Sequence, residues 1–449
     1  MMQPNRRDFI VTMGAAGIIG AVNPLRSLAQ KTDRLAPFRA AKFGMFIHWG
    51  PYSVAGVEAS WPILRPDGEI TEAEYRALPQ RFNPAKFDPH AWIDIAKSAG
   101  QRYMVFTTKH HDGFCMFDSA YTDYKITRTP YGKDTLRMLA DACQTDNMAL
   151  GLYYSPPDMN HPGFRDTSKL SATNYRGEPT RPEWPLYLDY MGLQLDELLT
   201  KYGPVAEMWF DSVDMKVQGQ YDGVRFLEQI RRLQPAMAVN NRLGVSGDFV
   251  TPEQFIPKGI PIKGVRMDSP DHSAADKQDV TVPRPEEFQP WETCMTINDT
   301  WAYRPQDHNF KSTEKLIRSL IEVISRGGNF LLDVGPQPDG QIQPEFSERL
   351  KAMGQWVHKN AAAIYDSGYG PIQNESQFRT TSRGSNTYLF VMDASATQIS
   401  LKVLQRPVGQ VRLASTGKPI KFSTSAEGVR IPLTKELWSD GIPVLEVLE

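Results

Sequence analysis

The sequence predicts an α/β chain, a (β/α)8 barrel followed by a small C-terminal all-β sandwich domain. Three observations carry this. Apolar runs of strand length recur between Phe38 and Tyr365, amphipathic runs with helical spacing separate them, and past Tyr365 the helical pattern stops. Strands buried on both faces read as continuous apolar runs, and strand–helix alternation implies a parallel sheet. So many units in one stretch favour closure into a barrel, with an open doubly wound sheet as the alternative.

The candidate strands, in order, are Phe43–Trp49, Tyr103–Lys109, Ala149–Tyr154, Val205–Phe210, Ala236–Asn241, Glu292–Ile297 and Asn329–Val334. A closed barrel needs one more, so one strand is hidden or irregular. Between the runs lie helical patterns such as Leu316, Ile317, Leu320, Ile321 and Ile324, with Gly327-Gly328 as the stop. Beyond Gly368, Gly370 and Pro371 come short β-type runs at Thr387–Met392, Gln398–Val403, Gln410–Leu413, Gly428–Ile431 and Pro443–Val447. The expected organisation is an export signal over 1–29, a barrel over 32–365 and a β-sandwich over 372–449.

The signal is read from Arg6-Arg7, the apolar run from Val11 to Val22 and small residues ending at Ala29. This is a twin-arginine pattern, and it implies a periplasmic or secreted protein. The run is too short and too rich in Gly and Ala to anchor in a bilayer, and no other segment reads as a membrane span. A net charge of −2 gives no footprint for nucleic acid or an anionic membrane. The cysteines Cys115, Cys143 and Cys294 are too few for a disulfide framework and lack zinc-site spacing.

In a parallel barrel the chemistry sits at the C-terminal ends of the strands. Those ends carry His48 and Trp49, then His110, His111 and Asp112, then Tyr153 and Tyr154, then Trp209 and Asp211, then Asn241 and Arg242. Strand alternation places Trp209 and Asp211 on one side, an aromatic face beside a carboxylate, which suits a sugar. Arg242 on the neighbouring strand end would keep Asp211 ionised. Glycoside hydrolysis needs a second carboxyl, and the residue pattern leaves Glu253 and Glu292 open, with Glu58 a weaker third. The bland reading of Asp211 and Arg242 is a structural ion pair.

The segments FGMFIHWG (43–50), KHHDGF (109–114), GLYYS (151–155), MWFD (208–211), NNR (240–242), GDFVTPE (247–253), WETCMTINDTWAY (291–303) and GGNFLLDVGPQPDG (327–340) resemble glycoside hydrolase family 29, the α-L-fucosidases. The resemblance covers nearly the whole barrel region in family order. It implies a TIM-like barrel, a C-terminal β-sandwich, retention of configuration, and no metal or other cofactor. It makes Asp211 the nucleophile, and His48, His110, His111, a tyrosine of the 153–154 pair (assigned to Tyr154), Trp209 and Arg242 the fucose-binding set. Trp61 lines the pocket on this reading, although many members carry adjacent Glu-Trp where this chain reads Val57-Glu58-Ala59-Ser60-Trp61. Family members have been assigned either acid, so Glu253 is placed first and Glu292 second. The implied partner is a fucosylated oligosaccharide or glycoconjugate, and the carboxyl groups should stand about 5–5.5 Å apart. The rivals are a metal-dependent hydrolase on His110 and His111, a binding protein without turnover, and a hydrolase for a related sugar such as α-L-galactose.

Overall fold

The computed structural model describes residues 33–64, 69–164, 182–211, 221–264, 282–372, 376–401 and 407–448. The export signal read over 1–29 and residues 265–281 therefore lie outside the described residues. Residues 34–449 form one compact unit.

Seven strands make one parallel sheet: β1 (Phe43–Ile47), β2 (Tyr103–Lys109), β3 (Ala149–Tyr154), β4 (Glu207–Phe210), β5 (Ala238–Val239), β6 (Glu292–Thr296) and β7 (Asn329–Val334). Their order is β5-β4-β3-β2-β1-β7-β6, with every pairing parallel. The gap between β5 and β6 is bridged by the segment 249–253. Single parallel bridges join Asn240 to Phe249, Val250 to Trp291 and Glu253 to Cys294. The Glu292 amide donates to Val250 O, and the Gln254 amide donates to Cys294 O. This is the hidden eighth strand. Its bridges are too sparse for a regular ladder, because Pro252 has no amide hydrogen to give.

Helices cover the outside of the sheet. Among them are α1 (Pro89–Ala99), α2 (Thr135–Thr145), α3 (Trp184–Lys201), α4 (Gly223–Leu233), α5 (Thr313–Ser325) and α6 (Pro344–Lys359). In α1, Asp88 accepts the His90 and Ala91 amides at the N-terminus, and Gly100 ends the helix at φ +87°. A Cβ at Gly100 would come within 2.5 Å of Val357, so both the backbone angle and the space require glycine. In α5, Ser312 caps the start and Leu316, Ile317, Leu320, Ile321 and Ile324 are buried as their spacing predicts. None of the helices in the described residues is long and apolar enough to cross a membrane.

Strand alternation divides the core in two. Phe43, Met45, Ile47 and Trp49 point outward to the helices. Phe46, Tyr103, Val105, Tyr153, Trp209, Ala238, Phe249, Cys294 and Leu331 fill the barrel interior. Leu35, Phe38 and Ala41 pack against that interior cluster, and the Phe38 and Phe249 rings lie 4.5 Å apart.

The C-terminal region is a sandwich. A five-stranded antiparallel sheet contains Gln410–Leu413, Val444–Leu448, Asn386–Val391, Phe378–Arg383 and Gly368–Tyr369, and a three-stranded sheet contains Gln398–Leu401, Gly428–Pro432 and Ser423–Ser425. Phe378, Leu389, Val411 and Leu445 of one meet Ile399, Leu401, Val429 and Ile431 of the other in a shared core. The strands at 368–369, 378–383 and 423–425 are additions to those predicted. Thr380, Thr381 and the Ser-Thr-Ser of the last strand hide the alternation there.

Candidate active site

The inward residues at the C-terminal strand ends come together. Trp209 faces Tyr153 across the β3–β4 register, and their rings stack at 5.8 Å. One step further along β4, Asp211 leaves the strand with its amide bonded to Tyr154 O. Its Oδ2 accepts the Tyr153 hydroxyl at 2.9 Å, and its Oδ1 accepts Arg242 Nη1 at 2.9 Å. Burial would raise the Asp211 carboxyl, but the Arg242 guanidinium and the Tyr153 hydroxyl hold it below its ordinary value. Arg242 is itself fixed by bonds from Nε to Thr251 Oγ1 and from Nη2 to Thr251 O.

The same Arg242 Nη1 lies 2.9 Å from Glu253 Oε2. Asp211 Oδ1 and Glu253 Oε2 are thus no farther apart than two such contacts laid end to end. That falls below the about 6.5–9.5 Å of inverting sites and is compatible with the retaining separation. The Glu253 side chain is 42% exposed at the end of the eighth strand, so it is open to solvent at the mouth of the barrel.

Three histidines surround this pair. His48 Nδ1 lies 2.7 Å from Asp333 Oδ1; burial disfavours its charged form, but Asp333 raises the imidazole above its ordinary value. His110 Nδ1 meets Ser60 Oγ at 2.5 Å, and its ring stacks on Tyr153 at 5.5 Å. His111 Nδ1 meets Ser155 Oγ at 2.6 Å, while Nε2 lies 3.5 Å from Asp211 Oδ2. Adjacent histidines on a strand would diverge. Here β2 has ended at Lys109, so both rings turn to the same side, 4.2 Å apart. The buried Lys109–Asp158 pair, at 3.0 Å, ties that turn to the loop after β3. The Trp61 ring reaches His111 at 5.8 Å.

Three of the roles expected from the sequence change. Tyr154 points away from the site: its hydroxyl donates to Gln194 Oε1 of α3 at 2.8 Å. Period-two alternation puts Tyr153, the register partner of Trp209, inside and its neighbour outside. Glu292, the first residue of β6, lies deep in the barrel. Its Oε1 accepts Trp209 Nε1 at 3.1 Å and its Oε2 accepts the Tyr103 hydroxyl at 2.5 Å. It therefore holds Trp209 from below rather than reaching the mouth. Trp209 is itself enclosed by Phe46, Tyr153 and the Arg242 guanidinium at 4.7 Å, so it backs the pocket instead of offering a free face.

One residue is added, Trp301, and Glu58, the third carboxyl read from the sequence, lies beside it. Trp301 sits 5.0 Å from the His48 ring. Glu58 accepts the Trp301 amide on Oε1 at 2.8 Å, while its buried Oε2 has no hydrogen-bond partner. Burial pushes the Glu58 carboxyl up to about 7. Buried Ala59, at φ +46°, forms the strained turn that follows it, a conformation that costs a non-glycine residue about 1–3 kcal/mol. The signal for Trp301 was its place within the 291–303 segment.

Residues 23–362 match the Alpha-L-fucosidase family. The chain is 28% identical to the human tissue alpha-L-fucosidase over 416 residues, 84% of this chain and 81% of the human one. Its structure is similar to alpha-L-fucosidase isoenzyme 1 from Paenibacillus thiaminolyticus, with a TM-score of 0.81, 32% identity and coverage of 93% and 98% of the two chains. It is also similar to a Bacteroides thetaiotaomicron alpha-L-fucosidase captured as a covalent intermediate, with a TM-score of 0.77, 26% identity and coverage of 92% and 95%.

Proposed function

The chain belongs to the α-L-fucosidase family, glycoside hydrolase family 29, and we infer that it releases terminal α-L-fucose with Asp211 as nucleophile and Glu253 as acid/base. It is a retaining α-L-fucosidase working by double displacement. What supports these two roles is a single arrangement: one guanidinium nitrogen of Arg242 lies 2.9 Å from each carboxylate.

In the first step an Asp211 oxygen attacks the anomeric carbon while the glycosidic bond breaks, and Glu253 gives its proton to the departing oxygen. In the second, the ionised Glu253 takes a proton from water. That water attacks the same carbon and Asp211 leaves as a carboxylate. Two inversions give net retention. A nucleophile must be ionised, which the lowered Asp211 carboxyl supplies. An acid must reach the leaving group, which favours half-exposed Glu253 over buried Glu292.

His48, His110, His111 and Arg242 bind ring hydroxyls, and Tyr153, Trp61 and Trp301 enclose the sugar. The substrates are fucosylated oligosaccharides or glycoconjugates. The first-formed sugar from an aryl α-L-fucoside, followed by NMR, tests this reading: α-L-fucose is expected, and β-L-fucose as first product would overturn it.

Export by the twin-arginine route belongs to the same reading. It is supported by Arg6-Arg7 with the following apolar run, and by three cysteines that are all free and buried. Replacing both arginines by lysine is expected to leave the precursor in the cytoplasm. A processed periplasmic product from that variant would contradict it.

A further inference from the structure

Ser155 has one hydroxyl proton and two neighbours. Its Oγ lies 2.7 Å from the carbonyl oxygen of Pro157, which can only accept, and 2.6 Å from His111 Nδ1. The proton goes to the carbonyl, so toward His111 the serine oxygen can only accept. His111 Nδ1 must then carry the hydrogen. Burial, together with His48, Lys109 and Arg242 and against the pull of Asp211, lowers the imidazole to about 4, so the ring is neutral and its Nε2 keeps a lone pair.

That lone pair lies 3.5 Å from Asp211 Oδ2, and Oδ2 already accepts the Tyr153 hydroxyl. Two acceptors face each other with no hydrogen between them. The group that resolves this is a donor placed beside the reacting carbon. Resting on the fucosidase reading above, we propose that Ser155 is a positioning residue that fixes His111 as the Nδ1–H tautomer, so that Nε2 accepts the hydroxyl next to the anomeric carbon. The opposite tautomer would turn Nε2–H onto Asp211 and occupy a lone pair of the nucleophile. The serine thus sets the direction of a substrate hydrogen bond and leaves the second lone pair of Asp211 Oδ2, beside the one that accepts Tyr153, unoccupied by His111.

The test uses the full-length enzyme labelled with ¹⁵N in its histidine rings, with the His111 signals identified by their loss in His111→Asn. Wild type at neutral pH is expected to show the Nδ1–H pattern, and Ser155→Ala to move toward Nε2–H. On an aryl α-L-fucoside, Ser155→Ala should lose about tenfold or more in kcat/KM, as for one misdirected hydrogen bond. On the 2-deoxy analogue it should lose much less, and Ser155→Thr should restore both the tautomer and the preference. An Nε2–H signal in active wild type, or equal losses on both substrates with the tautomer unchanged, would overturn the assignment. Failure of wild type to cleave the fucoside at all would instead overturn the functional reading, whatever the tautomer.

Discussion

The barrel buries carboxyl groups at both of its ends, and the two ends treat them in opposite ways. At the mouth, Asp211 is met by the Arg242 guanidinium and the Tyr153 hydroxyl, and its carboxyl is held down. At the base, Glu207 and Glu292 lie close enough to repel each other, with no cation paired to either among the described residues. Burial pushes Glu292 up to about 8 and Glu207 well above its ordinary value. Gly151 opens the space for the pair, since a Cβ there would fall 2.7 Å from Glu207 Cγ. The acid is therefore ionised where a neighbour supplies compensating charge, and neutral where none does. Motif membership says little about which carboxyl reacts; the layer of the barrel says much more.

The largest effect is expected from Asp211→Ala, which removes the attacking oxygen and should cost about 10⁴-fold in kcat on an aryl α-L-fucoside. Next come the two glutamates. Glu253→Gln should lose about 10²–10⁴-fold on substrates with poor leaving groups, as for a missing general acid. Glu292→Gln keeps an acceptor for Trp209 Nε1 and should lose less than about tenfold. A Glu292→Gln loss as large as that of Glu253→Gln would erase the contrast between mouth and base.

The base also predicts a stability signature. The folded Glu292 carboxyl keeps its proton to about 8 while the unfolded one releases it near 4.5, so the folded state binds the extra proton in that window. Stability from this group is present below the lower value and is lost as pH rises toward the upper one. In Glu292→Gln, unfolding midpoints measured between those limits should fall less steeply with pH than in wild type. The remaining slope comes from the other buried carboxyls held above their ordinary values, Glu207, Glu58, Asp112 and Asp333.

Arg242→Met separates charge from position. Without the guanidinium Asp211 protonates more readily, so the acidic limb of kcat/KM moves to higher pH, with a loss of about 10²-fold at neutral pH. An unmoved limb would mean that Arg242 does not govern Asp211.

The smallest effects divide one tyrosine pair. Tyr153→Phe removes a hydrogen bond to Asp211, the proposed nucleophile, and should cost roughly tenfold in kcat. Tyr154→Phe breaks the bond to Gln194 outside the barrel, and should lower stability by about 1 kcal/mol with kcat and KM unchanged.

Much of this was legible from residue order. Strands such as Tyr103–Lys109, Ala149–Tyr154 and Asn329–Val334 match their predicted bounds, because burial on both faces gives each an apolar stretch on consecutive residues, with polar residues gathered toward its ends. Asp211, Arg242 and Glu253 come together because they follow strands whose ends converge, which residue order alone implies. The choice between Tyr153 and Tyr154 was not legible, since two adjacent tyrosines hide the inward phase until the register with Trp209 is known. The eighth strand was hidden by Gly247 and Pro252, which read as a turn. Glu292 carried a usable signal: it begins its strand, and the beginnings of barrel strands face the base. Glu58 and Trp301 lie on loops joined only in three dimensions, through the Trp301 amide.

The most direct test of the central claim is azide rescue of Asp211→Ala on an aryl α-L-fucoside. The account predicts restored release of the phenol with β-L-fucosyl azide as product, because azide takes the place of the missing carboxylate and attacks from the same face. No rescue in a folded variant, or an α-L-fucosyl azide, would contradict Asp211 as the nucleophile.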